Sequence, residues 1–232
     1  MNEKNEFNQP IGKLVENWRP AKRPEPVVMK GEYCSVVPID IAQHAQKLWA
    51  NLAIDNRGES WTYLSHGPFA DCKEFCAWIQ ATNHAQQDTN MYVILNKQQE
   101  PVGIASYLRI HPEQGVIEVG HLHFSKLLQK TPAATEAMYL MMRYVFEDLG
   151  YRRYEWKCHS LNEASRVAAM RLGFQFEGIF RQSSVFKNRN RDTAWFSIID
   201  TEWPALKETF NRWLDKTNFD GQGNQIKRLR EV

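Results

Sequence analysis

Long apolar runs are missing from this sequence. No stretch approaches the ~18 consecutive apolar residues that a membrane-spanning helix needs, and the opening MNEKNEFNQPIGKLVENW is too polar for a secretory signal. A membrane anchor is therefore excluded, and a cytoplasmic protein is expected. Cysteine is also scarce: Cys34, Cys72, Cys76 and Cys158 are scattered, and the CxxxC pair has neither a second pair nor matching histidines. That spacing argues against a structural zinc site and for reduced thiols of an intracellular protein. Charge of one sign is absent too. Lysine plus arginine number 29 against 27 acidic residues, a net charge of +2, which gives no global field for nucleic acid and makes any basic site local. There are no internal repeats. What is present is an ordinary globular composition, 43% hydrophobic and 24% charged over 232 residues, enough for one large domain with a buried core.

Residues 1–30 carry four prolines and read as an extended arm lying on the body. A first strand is expected at 33–39. Asp40 then caps a helix with Ala45, Leu48, Trp49 and Leu52 inward, ending before Gly58. The aromatic loop 61–69 either packs helices together or lines an acceptor pocket. It leads into a second helix from Asp71, with Phe75, Cys76, Trp78 and Ile79 inward. Strands follow at 91–96, 101–110 and 115–124. Next come a strong helix ending at Gly150, a strand at 151–158, a helix from about Asn162 to Leu172, and strands near 174–180 and 194–200. This β-β-β-α-β-α-β-β order implies some parallel pairing across a helical crossover. Trp203-Pro204 opens a last helix, and the tail beyond Asp215 is polar.

Two helix starts carry the chemistry. In Gln129-Lys130-Thr131-Pro132-Ala133-Ala134-Thr135, a strand gives way to the strong helix. The unpaired N–H groups and dipole there form an anion site. The same residues also fit a plain helix start, with Thr131 as N-cap and Pro132 in the first turn. The second is Asn162-Glu163-Ala164-Ser165, whose helix runs to Leu172-Gly173-Phe174.

Together these segments resemble the motifs of the GCN5-related N-acetyltransferase (GNAT) superfamily, Q/R-x-x-G-x-G/A and N-x-x-A-x-x-x-Y ending in L-G-F, and the resemblance covers roughly residues 30–200. It implies an α/β (α+β) GNAT fold, a mixed sheet of about six to seven strands flanked by helices. The divisions are an arm at 1–30, the acetyltransferase domain at 31–202, and a C-terminal helix and tail at 203–232. Pro132 stands where the family has a central glycine, Ser165 where it has alanine, and Ala169 where it has the tyrosine that often protonates the departing thiolate. A serine at that position is similar to the RimJ/RimL-like branch, which implies that Ser165 serves the thiolate.

The resemblance implies acetyl-CoA as cofactor. Asn162 is expected on its pantetheine arm and Gln129, Lys130, Thr131, Ala133, Ala134 and Thr135 near its pyrophosphate, with Phe124 and Ser165 beside them. An oxyanion donor is expected around Phe124–Lys126. The acceptor is an amine, on a small molecule or a protein N-terminus, attacked directly in a ternary complex; a homodimer is left open. The amine must lose a proton, and Glu118 is the candidate base, with a cross-sheet pair to arginine as its structural alternative. Strict alternation puts Glu118 with Gly120 and Leu122, opposite Val119, His121 and His123. The two histidines read as satisfied in the fold and only secondarily as metal ligands. The basic run 187–192 is expected at a hairpin tip, as a solvated turn first and only secondarily as a contact for an acidic acceptor or RNA, since it lacks the interleaved aromatics of a nucleic-acid platform. A serine hydrolase is excluded, because no G-x-S-x-G surrounds Ser165. The other class that remains is a non-catalytic coenzyme A sensor.

Overall fold

The computed structural model describes residues 3–54, 58–85 and 88–232. Its strands are β1 (Glu3–Lys4), β2 (Pro10–Ile11), β3 (Met29–Lys30), β4 (Cys34–Pro38), β5 (Asn90–Asn96), β6 (Pro101–His111), β7 (Val116–Phe124), β8 (Arg153–His159), β9 (Gln175–Phe186) and β10 (Arg189–Ile199). Its helices are α1 (Ile41–Leu52), α2 (Cys72–Ala85), α3 (Pro132–Arg143), α4 (Glu163–Arg171) and α5 (Trp203–Leu214). The main sheet has eight strands in the order β3-β4-β5-β6-β7-β8-β10-β9. That exceeds the six to seven expected, because β3 adds a two-residue edge that no hydrophobic pattern announces. All neighbours are antiparallel except β7 and β8.

Local chemistry sets the helix starts. Asp40 accepts from the Gln43 N–H, Thr131 from Ala134 and Asn162 from Ser165, so each supplies the side-chain oxygen that an N-cap requires. Helices cover both sheet faces. On one, Leu48, Phe75 and Ile79 of α1 and α2 pack on Met91, Val93 and Ile104. On the other, Met138, Met141 and Met142 of α3 pack with Tyr107, Ile117 and Val119, while Ala169 of α4 and Phe210 of α5 extend the same core. Removing such side chains from water stabilises by roughly 1.5–3 kcal/mol each. The strong helix passes into a π-helical turn at Tyr144–Asp148 before Gly150, whose φ of 77° suits glycine.

The arm is not wholly extended: β1 and β2 form a small antiparallel pair, and Met29–Lys30 joins the main sheet. Between them the chain lies on the body. Lys22 N–H donates to the Leu149 carbonyl and Tyr92 hydroxyl to that of Glu25. The expected strands near 174–180 and 194–200 are longer than the sequence suggested and form one hairpin. Its tip is Lys187–Asn188 alone, and Arg189 to Asp192 belong to β10. The tail folds back through Asn218, whose amide donates to the carbonyls of Trp213 and Lys227.

Candidate active site

The parallel pairing of β7 with β8 runs from Val116–Arg153 to Val119–Trp156 and stops. Beyond it β7 pairs with β6 and β8 with β10, so the two strands part. A cleft of about 820 Å³ opens between them. Backbone groups along Gly120–Phe124 thus face the gap without a neighbouring strand, a arrangement suited to an elongated ligand with amide groups of its own.

A bulge shapes this wall. Ile104 pairs with His123 and Ser106 with Gly120, so β7 has one residue more than β6 over this stretch. His121 adopts a φ of 48°, left-handed backbone that histidine tolerates better than most residues. The strict alternation expected for this strand therefore fails, and all residues from Glu118 to Phe124 reach the cleft lining.

Ser165 and Asn162 enter from the start of α4. The Asn162 side-chain oxygen accepts from the Ser165 N–H at 3.1 Å, and Ser165 Oγ accepts from Trp156 Nε1 at 3.0 Å. A capped helix and an indole N–H thus orient the hydroxyl, leaving its own proton to donate. Burial pushes the neighbouring Cys158 thiol up, with the Ser165 hydroxyl acting in the opposite sense.

Glu118 is almost wholly buried, and both readings of it meet in its geometry. Oε1 pairs with Arg109 at 2.7 Å across β6 and β7, the structural alternative expected from the sequence, and Oε2 pairs with Lys157 at 2.7 Å. Lys157 also reaches Glu155 at 2.8 Å and lies 3.7 Å from the centre of the Trp195 ring. The two pairs differ in strength. The Lys157 side chain is 9% exposed and that of Arg109 58%, so water screens the Arg109 pair more than the Lys157 one.

The residues expected near a pyrophosphate divide. Phe124 and Gln129 line the cleft, and Gln129 Nε2 donates to the Phe124 carbonyl at 2.7 Å. Lys130, Thr131, Ala133 and Ala134 lie at the α3 entrance, outside that lining. Thr131 hydroxyl donates to the Leu128 carbonyl, and Ala134 N–H is taken up in the cap. Thr135 corrects the expectation: it is buried, and its hydroxyl accepts from Arg171 Nη1 at 3.0 Å. Arg171, which the sequence reading passed over, brings a cation to this helix start and lies 5.1 Å from the Trp213 ring. The expected oxyanion donor is corrected in one particular, since Ser125 N–H is committed to the Val102 carbonyl.

The aromatic loop packs the helices and also reaches the cleft. Trp61 and Phe69 pack the core, while Tyr63 and His66 face the cleft. His66 stacks on Trp78 at 4.1 Å and meets His121 edge-on at 5.4 Å. His121 Nδ1 lies 3.3 Å from Ser106 Oγ, and His123 packs edge-on to Trp61 at 4.0 Å. Burial pushes His66 down to about 3, helped by the neighbouring imidazoles, and His121 down to about 4, helped by Arg109. Both rings are neutral at pH 7. Because their folded values lie below the ordinary 6.5, their contribution to stability is complete above pH 6.5 and is lost as pH falls toward 3. Melting temperature recorded against pH is expected to drop across that window, and more shallowly in His66→Phe.

Comparison with known proteins follows this geometry. A family model described as an acetyltransferase (GNAT) domain matches residues 36–175. The crystal structure of a GCN5-related N-acetyltransferase from Brucella melitensis is similar at 43% identity and a TM-score of 0.90, covering 93% of this chain and 98% of that one. An uncharacterized N-acetyltransferase p20 of Bacillus licheniformis is 28% identical over 61% of this chain and 80% of its own length. The ribosomal-protein-serine acetyltransferase of Escherichia coli K12 is 26% identical over 51% of this chain and 66% of its own. No described helix is long and apolar enough to cross a membrane. The chain belongs to the GNAT acetyltransferase family and is an enzyme that moves an acetyl group from acetyl-CoA to an amine.

Proposed function

We propose that the gap between β7 and β8 is the catalytic cleft, and that the acceptor amine enters beside Glu118 while the coenzyme lies toward Ser165 and the α3 entrance. The parting of the two strands after Val119 and Trp156 carries this reading. It leaves a run of main chain ready to pair with the amides of pantetheine, with Asn162 in reach of the same ligand. Ala133 N–H, Lys130 and Arg171 stand at the α3 entrance, where a helix start and cations suit a pyrophosphate. Pro132 donates no N–H there, so Arg171 offsets part of what the sequence lacks. Phe124 and Gln129 close the strand end beside it. The cleft and its ordered donors favour catalysis over a sensor, which needs neither Ser165 nor Glu118 oriented toward the gap. Four free thiols fit a reducing compartment such as the cytoplasm.

When bound, acetyl-CoA supplies a thioester: the nitrogen–carbon bond forms as the carbon–sulfur bond breaks. The chain's residues handle the protons. Glu118 takes the amine's proton through a water when the exposed Arg109 swings off Oε1, while Lys157 holds Oε2 in place. Ser165 donates its proton toward the sulfur, held by Trp156 and the α4 cap. The extra residue of the β7 bulge frees main-chain polar groups near His121 and Leu122 for the carbonyl oxygen, replacing Ser125 in that role.

Thiol release from acetyl-CoA with N-terminal peptides, polyamines and small amines tests the reading, alongside calorimetry with coenzyme A. Acceptor-dependent release is expected; binding with no release across the panel would return the sensor. Glu118→Gln is expected to lower kcat by about 10²-fold. An unchanged kcat with a lowered melting temperature would leave Glu118 only its ion pairs.

A further inference from the structure

The β9–β10 hairpin forms a wall of the cleft and turns into it a cation with no carboxylate partner among the described residues. Three cationic side chains line the cleft among the described residues: Arg109, Lys157 and Arg191. The first pairs with Glu118, and the second with Glu118 and Glu155. Arg191 has no carboxylate partner among the described residues. Its Nε donates to Thr193 Oγ1 at 3.2 Å, and its guanidinium lies 4.4 Å from the centre of the Phe186 ring. The adjacent carboxylate, Asp192, points elsewhere, accepting from Gln182 N–H at 2.7 Å and from Asn190 Nδ2 at 3.0 Å.

This isolation is costly unless something relieves it. A guanidinium has five donors in a planar fork, and Arg191 commits one of them to a threonine. It is half-buried, and burial works against its charged form. Arg109 pushes in the same direction, while Cys158 and Glu118 favour the charge without forming an ion pair with it. Ser183 and Ser184 stand on the facing strand β9, with Arg191 opposite Ser184 in register. Two aligned donors of a guanidinium fit a carboxylate or phosphate better than any neutral group.

We propose that Arg191 is the specificity-determining residue of the acceptor site, and that the acceptor is an amine carrying an anionic oxygen group close to the nitrogen that is acetylated. This deepens the transferase reading and rests on it. The anion docks against Arg191 and the Ser184 side of the hairpin, leaving the amine to reach Glu118. The shared chemistry is the anion. Its source is either the α-carboxylate of a free amino acid or an acidic side chain near a peptide N-terminus.

The test uses the full-length protein, saturating acetyl-CoA and matched acceptors. These are serine against serinamide, and peptides differing only in Asp or Asn at the second position. The anionic member of at least one pair is expected to give a kcat/KM higher by about 10- to 100-fold, the range for a hydrogen bond to a charged group. Selectivity within the serine pair would identify a free amino acid, and within the peptide pair an acidic N-terminus. Arg191→Met keeps an unbranched side chain but removes the guanidinium, and is expected to raise KM for the preferred anionic acceptor alone, with coenzyme A affinity unchanged. Arg191→Lys is expected to recover part of the loss. Equal use of charged and neutral partners, or a variant that slows both alike, would overturn the proposal. So would release with none of the four acceptors while coenzyme A binds, although the transferase reading would stand. Failure to bind coenzyme A would overturn that reading itself.

Discussion

Ser165→Ala is expected to lower kcat by about 10²–10⁴-fold, with the affinity for coenzyme A held within a few-fold. The magnitude is that of losing a positioned proton donor. The separation of rate from binding follows from the site's construction. Ser165 meets the cleft through one hydroxyl, while its N–H is already used by the Asn162 cap and survives the substitution. The change also leaves Trp156 Nε1 without its acceptor, so the indole loses one hydrogen bond, typically ~0.5–1.5 kcal/mol. Stopped-flow or steady-state thiol release and calorimetry on the same preparation measure the two quantities. A variant with unchanged kcat would remove the serine from the chemistry; one that loses kcat and coenzyme A binding together would make it a binding residue.

Glu136→Ala is expected to destabilise the fold by about 3–5 kcal/mol, because several hydrogen bonds to a charged acceptor, typically ~1.5–3 kcal/mol each, are lost together. Glu136 is a buried carboxylate on α3 that accepts from three successive main-chain donors, Glu32 at 2.7 Å, Tyr33 at 2.6 Å and Cys34 at 2.8 Å. It ties the β3–β4 turn to the helix whose first turn is proposed to face the coenzyme. Gly31 permits the approach, because a Cβ there would lie 2.3 Å from the carboxyl carbon. Deleting the carboxylate leaves the buried Cys34 N–H and the partly buried Tyr33 N–H without their acceptor. Glu136→Gln keeps the shape but turns an N–H₂ toward N–H donors, so it should recover only part of the loss. Chemical denaturation of the three proteins measures this, and stabilities within ~1 kcal/mol of wild type would show that the turn finds other acceptors.

What the sequence made legible was local. Asp40, Thr131 and Asn162 announce their helices because an N-cap and the N–H it satisfies lie within a few residues, and the two helix starts proposed for the site could be read the same way. The site's remaining determinants join residues far apart in the chain. Glu136 reaches residues about a hundred positions earlier, and Arg171 finds Thr135 across the gap between two helices. No periodicity encodes either. The β7 bulge had a signal that went unread: it falls at His121, beside Gly120, and a glycine inside a strand often marks a bulge. The long β9–β10 hairpin was underestimated because β9 is an edge strand, exposed along most of its length, and shows little alternation of apolar and polar residues. Arg191 was masked by its company. In the run KNRNRD it looks like part of a solvated tip, and only the strand geometry turns it into the cleft.

Hydrogen exchange of the main chain with and without coenzyme A tests the central claim most directly, because the account places the ligand where β7 and β8 part. Added coenzyme A is predicted to slow exchange at Gly120–Phe124 and at the α3 entrance around Ala133, leaving β4 and β5 unchanged. Slowing confined to other elements, with no change along Gly120–Phe124, would contradict it.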